Sequence, residues 1–216
     1  MIILKVFVFI GLLILAACNS SYQDQEGNHF EAVKIGSQVW IAENLNVSTF
    51  RNGDLIPEAR TLEEWVKAGN KGQPVWCYYD NDPENGIKFG KLYNGYAVDD
   101  PRGLAPEGWR IPEDEDWIIL SEFLGGVDFA GDKLKSDNHW QEQGNGNNES
   151  GFNALPGGYR YGDGHFGFIG YFSYWWASGD PDNQYAWGRG LGYSYYDIHR
   201  DFLHKNGGFS IRCIKE

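Results

Sequence analysis

Residues 103–126 read GLAPEGWRIPEDEDWIILSEFLGG, and this stretch decides the fold class. In its second half Trp117, Leu120 and Leu124 recur at spacings of three and four, which places them on one face of a helix. Glu113 to Asp116 gather negative charge at the N-terminal end, where the helix dipole favours it, and Gly125-Gly126 supply a stop. A helix is therefore expected over Glu113 to Leu124, followed by a second short one over Asp128 to Lys135.

Working towards the N-terminus, TLEEWVKA (61–68) also reads as a short helix. Thr61 can cap it, Glu64 sits three residues on, and Gly69 is expected to end it. HFEAVKIGSQVWIAEN (29–44) alternates around Gly36-Ser37 and predicts a hairpin. PVWCYYD (74–80) and GKLYNGYAV (90–98) are strand candidates. Towards the C-terminus, 138–150 is a polar Gly/Asn-rich loop. The aromatic runs SGFNALPGGYR, GHFGFIGYFSYWWAS, QYAWGRGLGY, YYDIHRDF and GGFSIRCIKE after it read as strands joined by turns. The layout is α+β, with two short helices early and a strand-and-loop-rich C-terminal half, in one domain over 29–216 without internal repeats.

The first residues read MIILKVFVFIGLLILAACNS. Val6 to Ala17 is apolar but shorter than the roughly 20 residues that cross a bilayer, and Lys5 precedes it, as in a signal peptide. Leu15-Ala16-Ala17-Cys18 resembles the bacterial lipobox. That resemblance implies cleavage before Cys18, lipidation of its thiol and a membrane partner through several acyl chains, since one chain alone anchors marginally. An ordinary signal peptide with an incidental Cys is the alternative. Residues 1–17 are thus read as the leader and 18–28 as a lipidated tether. With Asn19 rather than Asp after the Cys, the expected address is the outer membrane, with periplasmic and external faces both open.

The chain holds 29 Gly, 9 Trp, 13 Tyr and 13 Phe, and its formal charge of −12 becomes −13 once Lys5 leaves with the leader. That sign argues against nucleic acid and anionic surfaces as partners. Cys77 and Cys213 are an even pair in an oxidising compartment and read as a disulfide, two buried free thiols being the alternative.

VKIGSQVWIAENLN (33–46), FGKLYNGYAV (89–98), GLAPEGWRIPEDEDW (103–117), SGFNALPGGYR (150–160), YWWAS (174–178) and GGFSIRCIKE (207–216) together resemble the Fibrobacter succinogenes major paralogous domain, in order and over essentially 28–216. The family is frequent in secreted and lipoprotein chains of Bacteroidetes. The resemblance implies a C-type-lectin-like fold, related to formylglycine-generating-enzyme-like proteins. It also implies Cys at both the W-C-Y-Y and R-C positions, in keeping with a Cys77–Cys213 link. Where the family usually has a Thr helix cap, this chain has Glu113, a weaker one. Membership carries no known activity.

The chemical motifs are weak. Gly162, Gly164 and Gly167 fit G-x-G-x-x-G but lack the helix a dinucleotide needs, so they read as a loop. Residues 80–86 (DNDPENG) break the EF-hand pattern at Asn85 and Lys91. A looser calcium site there or at 180–183 is set against solvated turns, and no other cofactor is expected. His199 and Asp201 can face the same way on a strand, giving at most two of the ligands zinc needs, so no metal residue is assigned. No G-x-S-x-G is present, and no catalytic residue is assigned. Trp109, Trp117, Trp175 and Trp176 read as core. The remaining signal is aromatic, and Trp140, Tyr161, Tyr174, Trp187, Tyr193 and Tyr195 are the candidate ligand-binding residues. The expected function is non-catalytic binding or adhesion to a glycan or a surface protein, with an envelope enzyme or a structural envelope protein as alternatives.

Overall fold

The computed structural model describes residues 22–179 and 182–216. Cys18, the 1–17 leader and Asp180-Pro181 lie outside the described residues. In chain order the elements are β1 (Tyr22–Gln23), β2 (His29–Phe30), β3 (Ala32–Ile35), β4 (Gln38–Ile41), α1 (Leu62–Asn70), β5 (Trp76–Cys77), α2 (Pro83–Phe89), β6 (Leu92–Asn94) and α3 (Gly95–Val98). Then come β7 (Trp109–Arg110), α4 (Asp114–Phe123), α5 (Val127–Leu134), β8 (Tyr159–Arg160), β9 (Phe166–Gly167), β10 (Phe172–Trp176), β11 (Tyr185–Gly192), β12 (His199–His204), β13 (Gly208–Phe209) and β14 (Ile214–Lys215). The fold is mixed α+β, dominated by small antiparallel sheets. Their orders are β3-β4-β14-β7, β5-β6-β13-β8-β9 and β10-β11-β12.

The decisive stretch folds as its spacing predicts. Trp117, Leu120 and Leu124 are buried against Trp40, Phe152 and Trp175. The carboxylate of Asp116 reaches back to accept the Glu113 N–H at 2.7 Å, so the reach-back half of the cap survives without Thr. Asp116 also accepts from Arg110 at 2.8 Å, which ties β7 to α4. Trp109 and Trp176 are likewise buried. α1 starts as expected, with Thr61 accepting from Glu64 at 3.1 Å. It runs on through Gly69, whose missing side chain admits Asn206: a Cβ there would meet Asn206 Cγ at 2.9 Å.

The family-like motifs converge on one buried amide. Asn44 Oδ1 accepts the Trp175 indole N–H at 2.8 Å and the Arg212 Nη2 at 3.0 Å, while its Nδ2 donates to Phe89 O at 2.8 Å. Arg212 also donates to Ile41 O at 3.1 Å and lies over the Phe152 ring at 4.2 Å. Around Asn44 these motifs build scaffold.

The structure corrects several expectations. The tether does not extend to residue 28: β1 and β2 pair, Tyr22 meets Trp109 edge-on at 5.1 Å, and Gln25 Nε2 donates to Thr49 O at 2.8 Å. The folded body thus includes residues 22–28, because its polar side chains cap backbone groups of the 48–49 turn. The 90–98 strand is only β6 followed by α3, where Asn94 caps by accepting from Ala97 N at 3.2 Å. Residues 80–86 are not solvated turns alone. Asp82 accepts from Glu84 N at 3.0 Å and caps α2, with Pro83 pre-set for the first turn. That spends a carboxylate the calcium reading needed.

The disulfide is also corrected. Cys77 and Cys213 are free buried thiols in separate core clusters, Cys77 beside Trp65 and Tyr79 and Cys213 beside Trp109 and Ile211. Each is fixed by its own sheet neighbours. Cys77 lies opposite Leu92, and Cys213 O accepts from Ile41 N at 2.9 Å.

Candidate functional site: an aromatic groove

β11 reads YAWGRGLG, and strand alternation sends Gly188, Gly190 and Gly192 to one face. The neighbouring chain uses that space. A Cβ at Gly190 would meet Tyr174 Cε1 at 2.3 Å, and one at Gly192 would meet Tyr195 Cδ2 at 2.5 Å. Tyr174 and Phe172 stand opposite Gly190 and Gly192 in the β10–β11 register. Burial, then the charge and hydrogen bond of Asp201, push the Tyr174 hydroxyl up to about 12, so it stays a protonated donor to Asp201. His199, on the same face as Asp201, meets the Tyr195 ring edge-on at 4.9 Å and sits 3.1 Å from Asp197.

The opposite wall comes from the β8–β9 hairpin and the turn after it. Tyr159 stacks on Phe168 at 5.5 Å and meets Tyr161 at 5.0 Å, with their hydroxyls 3.3 Å apart. Phe168 is exposed and holds φ 66, a left-handed conformation that strains a bulky residue. It is kept there from both sides. Phe168 O accepts from the Tyr171 and Phe172 amides at 2.9 Å, and the next amide, Ile169 N, is hydrogen-bonded by Tyr79.

Between these walls runs an open groove of about 520 Å³, lined by Tyr79, Phe168, Ile169, Tyr171, Phe172, Tyr193, Ser194 and Tyr195. The lining holds no charged side chain. It offers six aromatic rings, with the hydroxyls of four tyrosines and Ser194 among the lining residues.

Of the sequence candidates, Tyr193 and Tyr195 line the groove. Tyr174 and Tyr161 adjoin it through Tyr159, Tyr174 at 5.6 Å from that ring. Trp187 belongs elsewhere: it projects from the other face of β11, tilted against the Phe202 ring at 4.1 Å and under Arg200 at 3.5 Å. Trp140 is a core residue whose indole donates to Ala154 O at 3.0 Å. The sequence candidates leave out Tyr79, Phe168, Ile169, Tyr171, Phe172 and Ser194 of this lining. The available signal was GFIG (167–170), an apolar pair set between glycines in a turn.

The other chemistries find little here. Gly162 and Gly164 lie in the 161–165 turn of the β8–β9 hairpin, where Tyr161 N donates to His165 O at 2.8 Å, and Gly167 lies on β9, so no helix opens there. Burial pushes both Cys77 and Cys213 thiols up to about 12, far from reactive thiolates. A smaller cleft of about 220 Å³ is lined by Asp24, His29, Glu43, Asn46 and Lys88, where burial raises Glu43. Among the described residues, no group of three His, Cys, Asp or Glu side chains is placed to hold a metal. Nor is any helix among them long and apolar enough to cross a membrane.

The model of the Fibrobacter succinogenes major domain matches residues 33–215. No curated protein matches the chain, and no solved structure does.

Proposed function

The chain belongs to the Fibrobacter succinogenes major domain family, and we propose that its domain is a non-catalytic recognition module that holds a neutral glycan in the aromatic groove. One observation carries this reading. The groove's lining combines aromatic rings with tyrosine and serine hydroxyls and holds no charged side chain, the complement of an uncharged sugar with apolar ring faces and polar edges. Its volume of about 520 Å³ suits a few sugar units, within the roughly 300–1,000 Å³ of small-molecule sites. The formal charge of −12 disfavours acidic polymers.

The module is displayed from the outer membrane through a lipid on Cys18, a placement that rests on the Leu15-Ala16-Ala17-Cys18 sequence. Its C-type-lectin-like fold rests on the motif resemblance and on the small antiparallel sheets flanked by α4 and α5. The inert thiols weigh against a cysteine-based, formylglycine-generating type of enzyme. The test is an array of neutral oligosaccharides beside their uronic-acid and sulfated counterparts, probed with the full chain in detergent. Saturable binding confined to neutral sugars supports the reading. Preference for the acidic set, or no binding at all, overturns it and turns attention to a protein partner.

A further inference from the structure

Resting on that reading of the groove, we infer that Lys135 is the positioning residue of its Tyr193–Tyr195 wall. Lys135 follows α5 in extended conformation, and its backbone bridges to Ala154, so its stem is fixed. The side chain turns inward and is almost wholly buried. Its Nζ donates to Tyr195 O at 2.9 Å and Gly192 O at 3.4 Å. Those two carbonyls bracket the turn that presents Tyr193, Ser194 and Tyr195 to the groove. The Trp140 ring centre lies 5.5 Å from Nζ, within cation–π reach.

A buried ammonium is costly unless it is paired. Among the described residues no carboxylate lies within 4.0 Å of this one. Asp132 and Asp197 act on it only at longer range, and burial dominates, lowering its pKa. What it gains is two charge-assisted bonds to a turn that Tyr193 N also ties to Tyr171 O at 2.8 Å and that lies on a bed of small residues. A Cβ at Gly144 would meet Tyr193 O at 2.3 Å, and one at Gly131 would meet Asp197 O at 2.5 Å. Ile198 N donates to Val127 O at 3.1 Å and closes the far side. Lys135 therefore fixes the turn from beneath, so the aromatic wall is in place before a ligand arrives.

The experiment compares the full chain in detergent with its Lys135→Met and Lys135→Gln variants, by amide hydrogen exchange and by affinity for a neutral oligosaccharide. Lys135→Met is expected to speed exchange across 193–197 by about tenfold while α4 and β4 keep wild-type rates. Affinity falls by about tenfold, because the wall must be ordered on binding. Lys135→Gln, which keeps a donor, falls between. In the wild type, a through-hydrogen-bond coupling from Lys135 Nζ to the Tyr195 carbonyl carbon is expected, whatever the variants' folding. Wild-type exchange at 193–197 in a folded Lys135→Met, or absence of that coupling, overturns the assignment. If the wild type binds no sugar, the exchange and coupling results still decide the role of Lys135, and only the glycan reading fails.

Discussion

Asn44 Oδ1 and the Trp175 indole N–H meet at 2.8 Å across 131 residues of chain, and Arg212 shares the same acceptor at 3.0 Å. Burial lowers Arg212 to about 9, and the partners it bonds directly are neutral oxygens. Removing Asn44 would orphan an indole donor and much of a buried guanidinium at once. Asn44→Leu should cost about 3–5 kcal/mol in urea unfolding. Asn44→Asp, which keeps the acceptor and supplies a counter-charge, should cost less. Equal losses would show that the amide geometry, not the buried charge, is what Asn44 serves.

Tyr195 and Trp187 separate binding from stability. Tyr195 lines the groove, whereas Trp187 packs on Phe202 and Arg200 across the sheet. Tyr195→Ala should weaken sugar binding by about 1–3 kcal/mol with little change in unfolding midpoint. Trp187→Ala should do the reverse, leaving affinity unchanged and lowering stability by about 1–2 kcal/mol. Titration calorimetry alongside urea unfolding reads both.

Gly190 makes room for Tyr174, which would lie 2.3 Å from an added Cβ. Gly190→Ala should therefore shift the ring off Asp201 and cost about 1–3 kcal/mol by overpacking. The shift shows as a fall in the hydroxyl's titration midpoint from about 12, followed by tyrosinate absorbance.

The two thiols set an alkaline limit. Each is raised from 9.0 to about 12 by burial. Between those values the unfolded chain gives up protons that the folded one keeps, so their contribution is full below pH 9 and is lost as pH rises towards 12. The change in unfolding free energy between pH 8.5 and 10.5 should shrink in a Cys77→Ala/Cys213→Ala double variant relative to the parent. In the native parent at pH 8, neither thiol should react with a disulfide reagent until the domain unfolds.

The proposed lipidation of Cys18 has its own test. Cys18→Ser should abolish incorporation of a labelled fatty acid and release the chain from the membrane fraction. Retention of both would place the anchor elsewhere.

Legibility in the sequence followed periodicity. Trp117, Leu120 and Leu124 announced α4, and Thr61 with Glu64 announced α1, because caps and spacing are local. α2 was hidden because DNDPENG has the composition of a turn and declares itself only through the Asp82 cap and Pro83. The groove was half legible. Tyr193 and Tyr195 stood out as aromatics in a loop-rich half, but Tyr79 lies far from them in sequence and reaches the site through its bond to Ile169. Nothing local distinguished Trp140, which is buried, from Tyr195, which is exposed. Even pairing counts cysteines but not their places in the fold, and Cys77 and Cys213 lie in different core clusters.

The most direct test of the central claim is a ligand footprint. The full chain in detergent is saturated with an uncharged oligosaccharide chosen from the array, and amide exchange is compared with and without it. Protection is expected only at 168–172 and 193–195. Protection instead on the Trp187–Phe202 face or around Glu43, or none at saturation, would contradict that claim.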